Sequence, residues 1–360
     1  MIEASYRSSA PVFKIEGEEK GDLTLDLMYL EVEETTEGLK TFLARFGNVG
    51  PHGGSSYGEL LYLDGSTLDF GKKIEASIGP SDGARIIFTG YVSALEARFD
   101  DAVRPQLVVL AEDKLMKLRT TRRSRTYEQQ SDADIAQAIA GEHGLSADVD
   151  ATGPTYKVVQ QWNQSDLAFL RDRARRIQAE VWIDNDKLCF KSRGSRSGTE
   201  LTLVQGNELI SVQIRADLAH QRTKVKTSGY DAQARDVIDE EATGDVVKAE
   251  VESGSTGPEV LQRAFGERVS MRTRDVPLTS DEAHQWARAE MLRRARGFVR
   301  AVGMTRGSPD MVVGSKLSLS RVGAPFSGGG YYVTRVCHTY DRSGHRTTFE
   351  AERATLSDNL

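Results

Sequence analysis

The feature that most constrains this chain is a two-residue alternation of apolar and polar side chains, repeated in short stretches set off by glycine. Lys316-Leu-Ser-Leu-Ser320 shows it, as does Ile210-Ser-Val-Gln-Ile-Arg215. A period of two puts one set of side chains on one face of a strand, whereas a helix would need a period near 3.6. Thirty-three glycines against nine prolines supply turns between such strands, so a β-rich fold is predicted. In Leu23-Thr-Leu-Asp-Leu27 the alternation predicts an early strand, and its phase then flips at Leu30 and Val32, which places a β-bulge near Met28 or Tyr29. Further strands are expected at 73–78, 85–92 and 106–111, with Gly90 marking a bend inside an apolar run. Residues 1–113 thus read as a first β-barrel domain. Its glycine- and serine-rich stretch 47–58 is too long for a hairpin turn and reads as an exposed loop.

The character changes after Asp113. Ser131 and Asp134 have capping-box spacing, and Ile135, Ala138 and Ile139 follow at helical intervals up to Gly144. Asn163 is placed to cap a second helix bearing Leu167, Leu170, Ala174 and Ile177 on one side. A strand pair, 180–184 and 187–191, completes a small α+β domain over 114–200. Alternation resumes at 201–204, 210–215 and 222–229, with Ile210, Val212 and Ile214 on one face. After an acidic interruption it returns at 316–320, 331–340 and 346–352, divided by the turn signals Ser327–Gly330 and Arg342–Gly344. Residues 201–230 and 300–360 are therefore assigned to a second β-barrel domain, and 231–299 to an inserted helix-containing segment. The helix of that segment starts on a capping box, Thr279 with Glu282, and stops at Gly297. No exact repeat is found, but similar strand counts in the two β regions hint at a duplication.

Length and composition agree with this division. At 360 residues the chain has room for two to three domains, and 39% hydrophobic with 28% charged residues describes a globular protein. A net charge of -6 provides no overall attraction to nucleic acid or anionic lipid. The N-terminus lacks a signal-peptide pattern, and no run reaches the ~18 apolar residues of a membrane span. Cys189 and Cys337 have neither disulfide nor zinc spacing and are expected as small hydrophobes in strands.

Catalytic motifs such as GxSxG, HExxH and GxxxxGK[ST] do not occur. Of the scattered histidines, His338 and His345 can approach across a hairpin, where cross-strand packing is expected rather than a metal site. The carboxylate pairs Asp100-Asp101, Asp184 with Asp186, and Glu240-Glu241 lie in turns or charge-rich stretches and read as solvated surface. The basic run Lys114, Lys117, Arg119, Arg122, Arg123 and Arg125 is the one candidate patch for phosphate or nucleic acid. It lacks interleaved aromatics, and a charged linker or a surface for an acidic partner is the favoured reading. No catalytic residue, cofactor or metal is predicted.

The order of segments resembles a known family. Ile86-Ile-Phe-Thr-Gly-Tyr-Val92, Leu107-Val-Val-Leu-Ala-Glu-Asp113, and Lys117-Leu-Arg-Thr-Thr-Arg-Arg-Ser-Arg-Thr-Tyr127 are similar to the opening of the phage late control gene D family, the tail hub family shared with the hub region of VgrG spike proteins. Trp162-Asn-Gln-Ser-Asp166, running on to Leu170, and Glu180-Val-Trp-Ile-Asp184 resemble its helix-then-strand segment. Gly314-Ser-Lys-Leu-Ser-Leu319, Phe326-Ser-Gly-Gly-Gly330 through His338, and Gly344–Phe349 resemble its closing strands. Gly90, Asp113, Trp162, Asp166, Gly314, Gly330 and His338 are the family-like structural positions. The resemblance implies a baseplate hub of a contractile tail or injection particle. Such a hub is a β-dominated α+β homotrimer, whose two similar barrel-like domains per chain form a ring between a hexameric tube and a trimeric spike. The implied partners are further copies of the chain, a separate spike protein, tube or tube-initiator proteins and other baseplate proteins. Ending at Leu360, without the barrel and β-helical needle of VgrG proteins, the chain is expected to meet its spike as another polypeptide. Alternatives are a hub with peptidoglycan-hydrolase activity and a nucleic-acid- or carbohydrate-binding module.

Overall fold

A computed structural model of the chain describes residues 10–50, 60–79, 83–101, 103–151, 153–273 and 275–357. Most of the loop expected at 47–58 lies outside the described residues. The first β unit runs β1 (Val12–Ile15), β2 (Glu18–Glu19), α1 (Gly21–Asp26), β3 (Leu27–Thr35), β4 (Thr41–Gly47), β5 (Lys73–Ile78), β6 (Arg85–Arg98) and β7 (Gln106–Glu112). Alternate side chains of these strands close over Phe13, Phe42, Phe46 and Phe88, whose rings meet at centroid distances of 5.0–6.3 Å. The strand expected at 23–27 is instead the helix α1, with Leu23 buried and Leu25 76% exposed. Five residues are too few for periodicity to decide, and tertiary packing does: Thr24 Oγ1 donates to the Pro11 carbonyl at 2.9 Å, tying α1 to the start of β1. The bulge is present at Met28, between the pairs made by Leu27 and Tyr29. Gly90, expected at a bend, pairs in regular register with Ile74. A Cβ there would come within 2.3 Å of the Glu112 carbonyl oxygen, so the position requires glycine for close approach of β7.

Next come α2 (Leu115–Thr120), β8 (Arg122–Gln130), α3 (Asp132–Glu142), β9 (Ser146–Val149), β10 (Tyr156–Ser165), α4 (Asp166–Ile177), β11 (Ala179–Asp184) and β12 (Lys187–Ser192). β8 and β10 form a ribbon, and β12 lies between β11 and β9. Ile135, Ile139, Phe169, Leu170 and Phe190 fill a separate core. The Ser131–Asp134 capping box is complete. α4, however, is capped by Ser165, whose Oγ accepts from the Ala168 amide at 3.2 Å, and Asn163 sits at φ 42° in the bulge of β10. Cys189 in β12 is buried, as expected of it.

The remainder is β13 (Glu200–Val204), β14 (Leu209–Ala216), β15 (Lys224–Asp231), β16 (Asp236–Thr243), α5 (Asp245–Lys248), β17 (Ser255–Thr256), α6 (Gly257–Phe265), β18 (Val269–Arg272), α7 (Ser280–Arg296), β19 (Val299–Thr305), β20 (Lys316–Ser320), β21 (Gly328–Asp341), β22 (Gly344–Arg353) and β23 (Thr355–Leu356). β15, expected among the strands of the second β unit, pairs instead with β16 and β18, and its Val225 packs on Ala287 and Met291 of α7. In β14 the structure turns Ile210 outward at a bulge, leaving Val212 and Ile214 half-buried. Only half of the Thr279 box forms: Thr279 Oγ1 accepts from the Glu282 amide at 3.2 Å, while the Glu282 carboxylate accepts from Leu278. Gly328–Gly330, read as a turn, opens β21.

The two β units share one plan. In chain order the first is β1, β3, β4, β5, β6, β7 and the second β13, β14, β19, β20, β21, β22. Spatially these run β3-β4-β7-β6-β5-β1 and β14-β19-β22-β21-β20-β13. Two register breaks coincide as well: at Met28 and Ile210, and at Ser93 and Thr334. The corner before each fourth strand, β5 and β20, is identical in its bonds. Gly71 N–H donates to Val92 O at 2.9 Å and Gly314 N–H to Val333 O at 3.0 Å, both glycines having positive φ. The bulged Ser93 and Thr334 each donate a hydroxyl to a carbonyl on the next strand, Leu110 and Glu350. One pairing differs: β1 is antiparallel to β5, while β13 is parallel to β20.

Candidate assembly interface

The two units join edge to edge. The first half of β21 pairs with β20, and its second half, on that same side, pairs with β3 from Arg335↔Thr35 to Tyr340↔Leu30. A thirteen-stranded sheet therefore runs through both β units. Charged groups brace the joint where the strap after β12 crosses it. Arg196 reaches Glu34 of β3 at 2.6 Å and Glu180 of β11 at 3.0 Å, with its guanidinium over the Trp182 ring. Arg193 stacks on Tyr332 and pairs with Glu352 at 3.0 Å, and the Tyr332 hydroxyl donates to Glu180 at 2.9 Å. Glu180, almost fully buried, thereby holds the α+β region against both β units. Burial would raise the Glu34 carboxyl, but Lys40 and Arg196 together hold it below its ordinary value.

The family-like positions occupy different places around this frame. Asp113 is buried at the end of β7, where its carboxylate accepts from the amides of Lys40 and Leu115 at 2.9 Å each; burial pushes its pKa up to about 6. Gly314 lies near Arg196, with a φ of 94°. Gly330 opens β21 beside Arg353. Asp166 is buried at the first turn of α4; burial opposes its charge, but bonds from Gln161, His143 and Arg123 together hold its carboxyl below the usual range. Trp162, by contrast, is 73% exposed on the ribbon. Asp113 and Gly314 come to the joint; Asp166 and Trp162 do not.

His338 and His345 do meet across the β21–β22 hairpin, Nδ1 to Nε2 at 3.3 Å, and His338 Nε2 contacts the Met311 carbonyl at 3.1 Å. Burial, reinforced by the neighbouring ring, pushes the pKa of His338 down to about 3, and burial chiefly lowers that of His345 to about 4. Both rings are neutral at pH 7. Glu31, Glu33 and Cys337 bring ligand atoms within 4.8 Å of one another, but Tyr29 donates to Glu31 and Arg335 holds Glu33, which leaves little room for a metal. Burial raises the Cys337 thiol to about 11. A shallow, open groove of about 330 Å³ lies between the units, bridged by Arg85 and Asp310 at 2.5 Å.

The basic run is largely neutralised from within the chain. Arg119 pairs with Glu112, Arg123 with Asp166 and Glu142, Arg125 with Glu142, and Lys114 with Asp186, so it forms α2 and the start of β8 and not a free phosphate-binding patch. Composition could not show this, because the partners are 7 to 72 residues away. Asp184 and Asp186 flank the β11–β12 hairpin, and Glu240-Glu241 lie in β16.

The family described as the Alg8 N-terminal domain matches residues 53–341, most of the chain. This chain belongs to the Alg8 N-terminal domain family. No curated protein sequence matches this family member. Among solved structures it is similar to the 43 kDa tail protein of prophage MuSo2 from Shewanella oneidensis, with a TM-score of 0.70 at 14% identity over 96% of this chain and 98% of that one. The tail protein of Neisseria meningitidis MC58 follows at 0.63 and 11%, covering 96% of each chain. The E. coli c3393 protein, described as a type VI secretion component structurally similar to phage T4 tail proteins gp27 and gp5, gives 0.59 and 13% over 96% of this chain and 77% of that one. At these identities the likeness is one of fold: this Alg8 N-terminal domain protein has the tail-hub fold that its segment order resembles. Among the described residues no helix is long and apolar enough to cross a membrane.

Proposed function

We propose that this protein is the baseplate hub of a contractile tail-like particle, a homotrimeric adaptor between a hexameric tube and a trimeric spike. The observation that carries the reading is the shared plan of the two β units, down to the bulges at Ser93 and Thr334. Three copies of a chain with two near-equivalent units offer six similar surfaces to a six-fold partner, while every non-repeated element keeps three-fold symmetry. The α+β region and the inserted sheet β15-β16-β18 are such elements. The partners are further copies, a separate spike protein, and tube or tube-initiator proteins. The role is structural, with Gly90, Asp113 and Gly314 serving close packing and the joint.

Light scattering with electron microscopy of the chain mixed with spike and tube-initiator proteins tests this. A three-fold ring with six similar lobes is expected, and a stable monomer under those conditions overturns it. Peptidoglycan zymography is expected to show no clearing, and a cleared band would replace the purely structural role with a hydrolytic one.

A further inference from the structure

Among the described residues, two open edges of the large sheet are related by the duplication to the strands that join the units, and that relation says what each meets. In the second unit β14 pairs only with β19, so the other side of Ser211–Ala216 has no backbone partner among the described residues. In the first unit β6 pairs with β5 through Tyr91 and with β7 from Tyr91 onward, leaving one side of Ala94–Arg98 equally open. Long open edges are templates for further strands, and soluble proteins usually shorten or cover them.

Under the shared plan β14 corresponds to β3, and β6 to β21. These are the counterparts of the two strands that pair to join the units within the chain. We infer that Leu209–Ala216 of one copy adds antiparallel to Ala94–Phe99 of the next, repeating between chains the β3–β21 joint seen within one. This rests on the trimeric reading and names its contact. The joint is head-to-tail, so it generates a ring if the rotation closes, and three copies of a pseudo-six-fold chain close it.

The bulges fix the register. Ser93 corresponds to Thr334 and Met28 to Ile210, so the pairs Cys337↔Glu33, His338↔Val32 and Tyr340↔Leu30 become Glu96↔Arg215, Ala97↔Ile214 and Phe99↔Val212. The transferred pairs suit one another. Opposite charges face at the first, apolar side chains face at the others, and Phe99, 62% exposed in the single chain, gains a neighbour.

Charge reversal and charge swap in the full chain test this, read by light scattering. Arg215→Glu places two carboxylates face to face and is expected to shift the trimer to monomer at the same protein concentration. Adding Glu96→Arg is expected to restore the trimer. If the single variant stays trimeric, or the double variant stays monomeric, this junction is wrong while the hub reading stands. Cysteines at 96 and 215 together should give disulfide-linked multimers under mild oxidation, and cysteines at 96 and 213 should not; equal yields from the two pairs overturn the register. A monomeric wild-type chain, even with spike and tube-initiator proteins, overturns both readings.

Discussion

The two β units carry out the same plan with different materials. The first packs four phenylalanines and closes its gap between β1 and β3 with the helix α1, whereas the second closes β13 against β14 through the short turn 205–208. The link between β4 and β5 spans 48–72 and buries Tyr62 and Leu68 but leaves Leu60, Leu63 and Phe70 exposed, while its shorter counterpart, 306–315, buries Met311 and Val313. A sheet plan thus survives the loss of almost all side-chain identity, because backbone pairing and bulges depend on few side chains. What varies is how each unit is sealed and what it offers outward.

The largest effect is expected where the units are held together. Glu180→Ala removes the carboxylate shared by Arg196 at 3.0 Å and Arg193 at 3.6 Å and leaves the Tyr332 hydroxyl without its acceptor, while Glu34 and Glu352 still face the two arginines, so urea unfolding should show a loss of about 3 kcal/mol. A loss under 1 kcal/mol would mean that the β3–β21 pairing alone fixes the two units.

Acid separates the units next. His338 and His345 stay neutral in the fold, with values near 3 and 4, but take protons at their ordinary values when unfolded. Their contribution is complete above pH 6.5 and declines as pH falls toward 4, by roughly 3 kcal/mol per ring at the limit. Asp113 runs the other way. Its carboxyl, raised to about 6, is protonated in the fold and ionised when unfolded between pH 4 and 6, so its contribution increases on acidification. The residue of the first unit that corresponds to His338 is Ala97, so the histidine contribution belongs to the second unit alone. Urea midpoints from pH 7 to pH 4 should fall less for His338→Gln and more for Asp113→Asn than for the wild type, and parallel curves for all three would refute this assignment.

The smallest effect sharpens the equivalence. Ser93→Ala and Thr334→Val each delete one hydroxyl-to-carbonyl bond at matching bulges, so unfolding should show nearly equal losses of about 1 kcal/mol. Unequal losses would show that the bulges match in shape but not in energy.

Much of this was legible in the sequence. Strands at 73–78, 106–111 and 346–352 follow from alternation, and the Ser131 and Thr279 caps from side-chain chemistry. The duplication was legible too, but faintly, in Gly71-Lys-Lys-Ile against Gly314-Ser-Lys-Leu and Tyr91-Val-Ser against Tyr332-Val-Thr. Those pairs are the corner glycines and bulge hydroxyls, the few positions where the backbone itself dictates a side chain. Segment 23–27 is not legible, because alternation over five residues cannot distinguish a strand from a helix with one leucine, Leu23, inward and another, Leu25, outward. The sheet to which β15 belongs is not legible either, because pattern reports which face of a strand is buried and not against what.

By itself the sequence determined the local periodicities, the caps and turns, and the absence of familiar catalytic motifs, all properties of neighbouring residues. Only the tertiary structure decided that β3 and β21, some 300 positions apart, form one sheet and that Glu180 draws two arginines into the joint. It also decided that β14 and β6 are left with matching open edges. Those are pairings across long loops, set by which edges remain when every local preference has been met.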